Sequence, residues 1–416
     1  MRDIVILILT LYGSVLGLMR PWLGVLALAV LGYLNPHRYA WGFSRDFPVY
    51  FIVFTATMVG LVFNGRDRQP FPWTRETMLF VSLLAWFTLT TFWSPDFPDY
   101  AREQWVKVMK IYVGIFPTLW LINSRERLRW LVITIALSFG FIGLKGGIFA
   151  LATGFQHKVW GPSNTFYGGN NEIALALNMM LPLLILCAKE VQSKNIKIFF
   201  YVVFVFSIFS IISSWSRGGL ITICAVLGAM IIFGKRKWLS IPVLSLAIFF
   251  ALPVLPEEWF SRMDTIKTYD ESLSIQGRFE AWQYAVSRAE AHPIMGGGFE
   301  TFRGAAHDAH SAYFEVLGEH GFIALLLWLL LLFGTMLALE RLRRQAMISE
   351  GERWISNYSR AIQISLLGYA VGGTALGVAY WDIFYHLIAI SVLLKVMLYR
   401  AQQGKDTQAV KAAPTK

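Results

Sequence analysis

The stretch AAHDAHSAYFEVLGEHGFIALLLWLLLL, Ala305 to Leu332, changes character part-way. Its first half holds three histidines and several carboxylates; from Gly321 onward it is almost continuously apolar. A helix needs about 20 apolar residues to cross a bilayer, fewer when its ends snorkel. Apolar runs recur at 4–18, 21–36, 47–63, 78–93, 106–122, 130–151, 171–188, 197–215, 217–234, 238–255, 321–340, 360–379 and 383–400. The first two are short, with only Met19 and Arg20 between them, and read as a shallow hairpin or one broken crossing. The chain therefore reads as all-α, a polytopic integral membrane protein of about 12 transmembrane helices.

Composition agrees. Hydrophobic residues make up 56% of 416 and charged residues 15%, against about 25% charged in soluble chains. Mean hydropathy is +0.52. The formal charge of +11 could serve nucleic acid, but basic loops that fix a membrane protein's orientation account for it more simply. Cys187 and Cys224 both lie in apolar runs, which leaves no disulfide framework and no CxxC metal ribbon. The segment MRDIVILILTLYGS lacks a small-residue cleavage pattern and reads as a retained helix.

Basic residues cluster in alternate loops: Arg66, Arg68 and Arg75; Arg125, Arg127 and Arg129; Lys189, Lys194 and Lys197; Lys235, Arg236 and Lys237; Arg341, Arg343, Arg344, Arg353 and Arg360. By the positive-inside rule that side is cytoplasmic. The opposite side then holds 37–46, 94–105, 152–170, the Ser216–Arg217 junction and one long loop, 256–320, with eleven acids against five bases. The expected organisation is 1–255 N-terminal transmembrane helices, 256–320 outward catalytic loop, 321–400 C-terminal transmembrane helices and 401–416 cytoplasmic tail. Lys145 is the one clear mid-span charge, with Lys395 near an end. An ion-coupled transporter usually carries paired intramembrane charges and repeated broken helices. Transport of a polysaccharide or lipid-linked glycan is the weaker reading.

Within the long loop, Trp259 and Phe260 read as an interfacial anchor. Residues 276–292 read as an amphipathic helix, with Phe279, Trp282, Val286 and Ala289 at helical spacing. HPIMGGGFETF then breaks it and reads as a flexible turn; without a preceding strand or a following Lys-Ser/Thr, the glycines are a weak phosphate cradle. His307 and His310 have acceptable zinc spacing, with Asp308, Glu315 or His320 as a third ligand. No HExxH-like set appears, and capping or solvated loop roles explain His307 and His320 more simply. His310 is the better catalytic candidate: an imidazole near neutral pKa suits removal of a hydroxyl proton, and Phe314, Leu317 and Gly321 hold it at the mouth of the next helix. Arg217 and Arg278 read either as snorkelling anchors or as guanidinium forks for a diphosphate.

Together, SRGGL, GRFEAW…HPIMGGGFETF and AHSAYFEVLGEHGFIALLLWL resemble the O-antigen ligase and polymerase superfamily. GPSNTFYGGNNEIALALNMMLPLLI resembles its exosortase-associated O-glycosylation ligase branch. His310, Ser311 and Gly321 meet the family's His-Ser…Gly pattern; Ala324 stands where a small or aromatic residue is expected, a mild departure. The resemblance implies a GT-C type glycosyltransferase of the bacterial inner membrane with its active site facing the periplasm. It would move a glycan from undecaprenyl diphosphate to a hydroxyl acceptor such as a lipid A-core sugar, with no cofactor and no metal. His310 would be the general base, and Arg217 and Arg278 would hold the diphosphate. Other activities of the same superfamily are O-antigen polymerisation and protein O-glycosylation.

Supporting candidates are Arg102 and Lys107, placed with Lys110 to attract phosphates, and Tyr167, Asn170, Asn171 and Glu172, suited to sugar hydroxyls. Interface anchoring explains the first group equally well. A turn with Asn170 or Asn171 as helix cap explains the second.

Overall fold

The structure is a computed structural model that describes residues 2–64, 68–234, 252–264 and 273–412. The described residues form helices without strands. In chain order these are α1 Arg2–Met19, α2 Pro21–Tyr33, α3 Val49–Phe63, α4 Arg75–Phe92, α5 Pro98–Leu121, α6 Arg125–Ala152, α7 Asn170–Glu190, α8 Lys194–Ile212 and α9 Arg217–Ile232. After them come α10 Glu257–Asp264, α11 Leu273–Ala291, α12 Ala312–Ile348, α13 Arg353–Gly372 and α14 Asp382–Ala412. Most of the expected tenth span, 238–255, lies outside the described residues, as do Arg66, Lys235, Arg236, Lys237 and Lys267.

The chain is a helical membrane protein, but its spans number differently from the sequence reading. Among the described residues six helices are long and apolar enough to cross a membrane, against the twelve or so predicted. α2, α3 and α9 are apolar but shorter. α5 is long enough, yet its first half carries Asp99, Arg102, Glu103, Lys107 and Lys110. The first two apolar runs are separate helices joined at Arg20, and both pack on α3. A Cβ on Gly17 would lie 3.2 Å from the Thr57 Cα. Small residues thus let these backbones approach closely.

α7 is the central helix, buried almost throughout from Ile173 to Ala188, and it packs on α6, α8, α9 and α13. An all-round apolar helix belongs in the middle of a bundle. Cys187 is buried and Cys224 exposed.

Alternate connections gather at two ends. At one end Arg125 pairs with Glu190 at 3.2 Å and lies over the Trp354 ring, and Arg400 donates to Gln69. At the other end Asp3 accepts from Ser44, Arg45 donates to Ser163, Ser94 donates to the Gly297 carbonyl, and Asn170 donates to the Ser214 carbonyl. Lys145 is exposed, with its ammonium 4.8 Å from the centroid of the Tyr39 ring. Glu76 and Lys395 pair at 3.2 Å.

Candidate active site

α11 and the loop after it build the site. The buried stripe of α11 is Ala281, Ala285 and Ala289, three residues on one helical face. Phe279, expected on that face, is 46% exposed. The small stripe admits α12 closely: a Cβ on Gly318 would lie 3.2 Å from the Ala285 Cα. Trp282 stacks on Phe314 of α12, ring centroids 4.9 Å apart, and its indole N–H donates to the Ala309 carbonyl at 2.9 Å.

α12 begins at Ala312, nine residues before the apolar run read from sequence, and is interrupted at Gly321, where φ is 75° and ψ −173°. That conformation is essentially open only to glycine. A Cβ there would also sit 2.7 Å from the Pro293 and Ile294 carbonyl oxygens. The interruption frees carbonyls, and the glycine-rich segment uses them. Gly297 N–H donates to the Gly318 carbonyl at 2.9 Å and Gly298 N–H to that of Glu319 at 2.7 Å. The segment read as a flexible turn is therefore stitched to the helix. Glu319 accepts from Glu300 N–H at 2.8 Å and from the Tyr380 hydroxyl. Asp96 accepts from Thr301 at 2.7 Å and from Arg288.

The three histidines part company in this framework. His320 is fully buried, its ring centroid 4.2 Å from that of Phe87 and 4.4 Å from that of Phe299, with Nδ1 2.7 Å from the Thr90 hydroxyl. It is a core residue, where the sequence suggested a cap or a solvated position. His307 is exposed and packs against Gly277, on which a Cβ would meet the imidazole at 2.7 Å. Among the described residues no three His, Cys, Asp or Glu side chains gather as metal ligands would.

His310 is held differently. Its φ is 44°, in the left-handed region, where a bulky residue persists only if its surroundings enforce it. The anchors are the Trp282–Ala309 bond on one side and, on the other, Ala312 N–H donating to the Gly373 carbonyl at 2.8 Å. The imidazole is open to solvent, yet enough protein surrounds it to lower its pKa below the usual histidine value. The Arg278 guanidinium pushes the same way, and Asp308 and Glu172 oppose it. His310, Arg278 and Glu172 thus share one electrostatic neighbourhood, although Glu172 lies 138 positions upstream of His310.

Arg217 is half-buried as the first residue of α9. Ser216 caps this helix by accepting from Gly219 N–H at 3.0 Å, and Trp215 before it is also left-handed, φ 57°. The Asn170–Ser214 bond, 2.8 Å, ties the start of α7 to this junction. The α7 cap itself is Gly169, and neither Asn170 nor Asn171 fills that role. Gly218 faces Ala375 in the turn whose Gly373 carbonyl holds Ala312. Residues next to Arg217 and close to His310 in the chain, Gly218 and Ala312, thus both meet the α13–α14 turn.

Arg102 is exposed and 3.9 Å from Asp99. Lys107 pairs with Glu103 at 2.9 Å. Lys107 and Tyr167 line a separate cavity of about 730 Å³, and the Tyr167 hydroxyl donates to Asp382. His310, Arg217 and Arg278 do not line it. Sequence reading missed Asp382, Arg38 and His386 as cavity residues, since nothing local in their segments signals that they meet.

Two family models match the chain. Residues 1–192 match a family of unknown function, DUF5935. Residues 202–329 match the family described as O-Antigen ligase. This match supports a place in the O-antigen ligase superfamily. No curated protein matches it. The O-antigen ligase segment contains Arg217, Arg278 and His310, whereas Arg102, Lys107, Tyr167 and Glu172 lie in the other segment. The matched family implies a glycosyltransferase-like enzyme acting on lipid-linked glycan and acceptor substrates in general.

Proposed function

We propose that the protein transfers a glycan from undecaprenyl diphosphate to a hydroxyl acceptor, in the manner of an O-antigen ligase, at the periplasmic face of the inner membrane. His310 removes the acceptor's hydroxyl proton as that oxygen attacks the anomeric carbon. The bond from that carbon to the diphosphate oxygen breaks, and Arg217 and Arg278 bind the departing charge. The observation that carries this reading is His310 itself: an imidazole on an enforced left-handed backbone, held below the usual histidine pKa by the protein around it and by Arg278. Its position inside the O-antigen ligase match supports the same reading. The stitched 296–300 segment and the buried Glu319–Tyr380 contact fix α12, the helix that follows His310 in the chain.

The reaction tests the proposal. Purified protein given a polyprenyl-diphosphate-linked glycan and a lipid A-core acceptor should form product with EDTA present and without an ion gradient. A strict need for a gradient would move the protein to transport. Orientation has its own test. In a Cys224→Ala background, cysteines at Ser287 and Ser349 should react with impermeant reagents from opposite faces, Ser287 from the periplasm. Labelling of both from one face would overturn the assigned side.

A further inference from the structure

The cavity of about 730 Å³ lies between α2, α3, α5, the 164–167 loop and the start of α14. Along α5 it runs from Gln104 to Thr118, about 20 Å of helix at 1.5 Å per residue. Most of its wall area is apolar, contributed by aliphatic Leu28, Leu31, Ile111 and Ile115 and by the rings of Tyr33 and Tyr50. At the Gln104 end stand Arg38, Lys107 and Lys110. At the far end His386 is held between the Tyr33 hydroxyl, 2.8 Å, and that of Thr118, 3.1 Å.

The cationic end has unused capacity. Lys107 is shared with an exposed Glu103 and Arg38 with an exposed Asp46, while Lys110 makes no ion pair among the described residues. Arg38 Nε and His37 Nδ1 are buried without a hydrogen-bond partner, and both residues line the cavity. Burial first, and the neighbouring Arg38 charge second, hold His37 near a pKa of about 4. Buried polar atoms without partners are rare in folded proteins and call for an explanation. The one carboxylate in the cavity, Asp382, is engaged by Tyr167 and by Ile383 N–H, 2.8 Å.

We propose that this cavity is a binding site for a lipid phosphate, its phosphate among Arg38, Lys107 and Lys110 and its hydrocarbon chain running along α5 toward Thr118. A phosphate supplies several acceptor oxygens to a cluster of donors, and the apolar walls require a chain that a soluble anion lacks. The site is distinct from the His310 cluster and does not depend on His310 being the base.

The test uses the full chain in phosphatidylcholine nanodiscs containing a C55 polyprenyl monophosphate, phosphatidic acid or free inorganic phosphate, with native mass spectrometry counting what is retained. Protein carrying Arg217→Gln/Arg278→Gln, which disables the proposed diphosphate site, should still retain one lipid phosphate, and the preferred lipid identifies its source as prenyl or phospholipid. Lys107→Gln/Lys110→Gln should weaken retention roughly tenfold or more, the scale of losing charged hydrogen bonds. Gly32→Leu should also exclude the chain: its Cβ fits, 3.6 Å from the Tyr50 ring and 3.9 Å from Asp382, and the rest of the side chain occupies the chamber. Scoring retention in the Arg217→Gln/Arg278→Gln background separates this proposal from the catalytic one. Retention of no lipid phosphate, equal binding of free phosphate, or retention unchanged in both the lysine double variant and Gly32→Leu would overturn it.

Discussion

The His310 cluster and the α5 cavity sit at opposite extremes of how a site is built. The cluster is open, polar and drawn largely from one matched segment, with Arg278 and His310 thirty-two positions apart. The cavity is mostly apolar and assembled from positions as distant as Val25 and His386. The first depends on fixed backbone, as the left-handed His310 and the Gly321 interruption show. The second depends on space left between helices. Chemistry that must move a proton asks for precise placement, whereas holding a lipid asks for volume and a charged rim.

The arginines give the largest separation of the two regions. If Arg217 and Arg278 grip the leaving diphosphate as forks, Arg217→Lys and Arg278→Lys should each cost about 2–4 kcal/mol, a roughly 30- to 1,000-fold slower transfer. Lipid retention in the cavity should be unaffected. Wild-type rates in both variants would reduce these residues to membrane anchors.

Gly321→Ala comes next. The backbone conformation alone should cost about 1–3 kcal/mol, and the close Pro293 and Ile294 carbonyls add to it. A lower melting temperature in detergent, with transfer lost as the His310 loop loosens, is the expected result. Unchanged melting would mean the interruption is not enforced.

The pH dependence should be smaller but more specific. His310 is held below the ordinary histidine pKa by burial and then by Arg278. If His310 is the base, transfer should hold at neutral pH and fall only on acidification past that lowered value. Arg278→Gln removes a cation that disfavours protonation, so the acidic limb should move to higher pH. A limb that stays put would mean the group titrating is not His310.

Arg303→Lys should be the mildest change, within a few-fold, because Arg303 lies over Tyr100 with its guanidinium 3.9 Å from the ring centroid and pairs with Glu300 on the surface.

Much of the helical layout was legible because apolar runs are local signals, and the 276–292 helix appears as Leu273–Ala291. Its contact face was not. Ala281 and Ala285 carry little hydropathy, and their burial reflects how closely two backbones approach. Likewise, three histidines look alike in a string of letters, but only packing from Phe87, Phe299 and Thr90 makes His320 part of the core. The glycine run looked loose because its partners, the carbonyls of Gly318 and Glu319, exist only once Gly321 interrupts the helix. Lys107 and Tyr167 were picked out by residue type, yet the cavity they share with Asp382 depends on helices joined across more than two hundred positions.

The central claim is that one histidine, not a set, carries the chemistry. Transfer rates in vesicles for His310→Ala and His307→Ala, each with expression and melting checked, test it most directly. His320→Ala is excluded as a clean comparison because its ring fills the core. Positioned acid–base catalysis is worth roughly 100- to 10,000-fold, so His310→Ala should lose that much while remaining folded, and His307→Ala should stay within a few-fold of wild type. An equal collapse of the two, or near-normal transfer by a folded His310→Ala protein, would contradict the account.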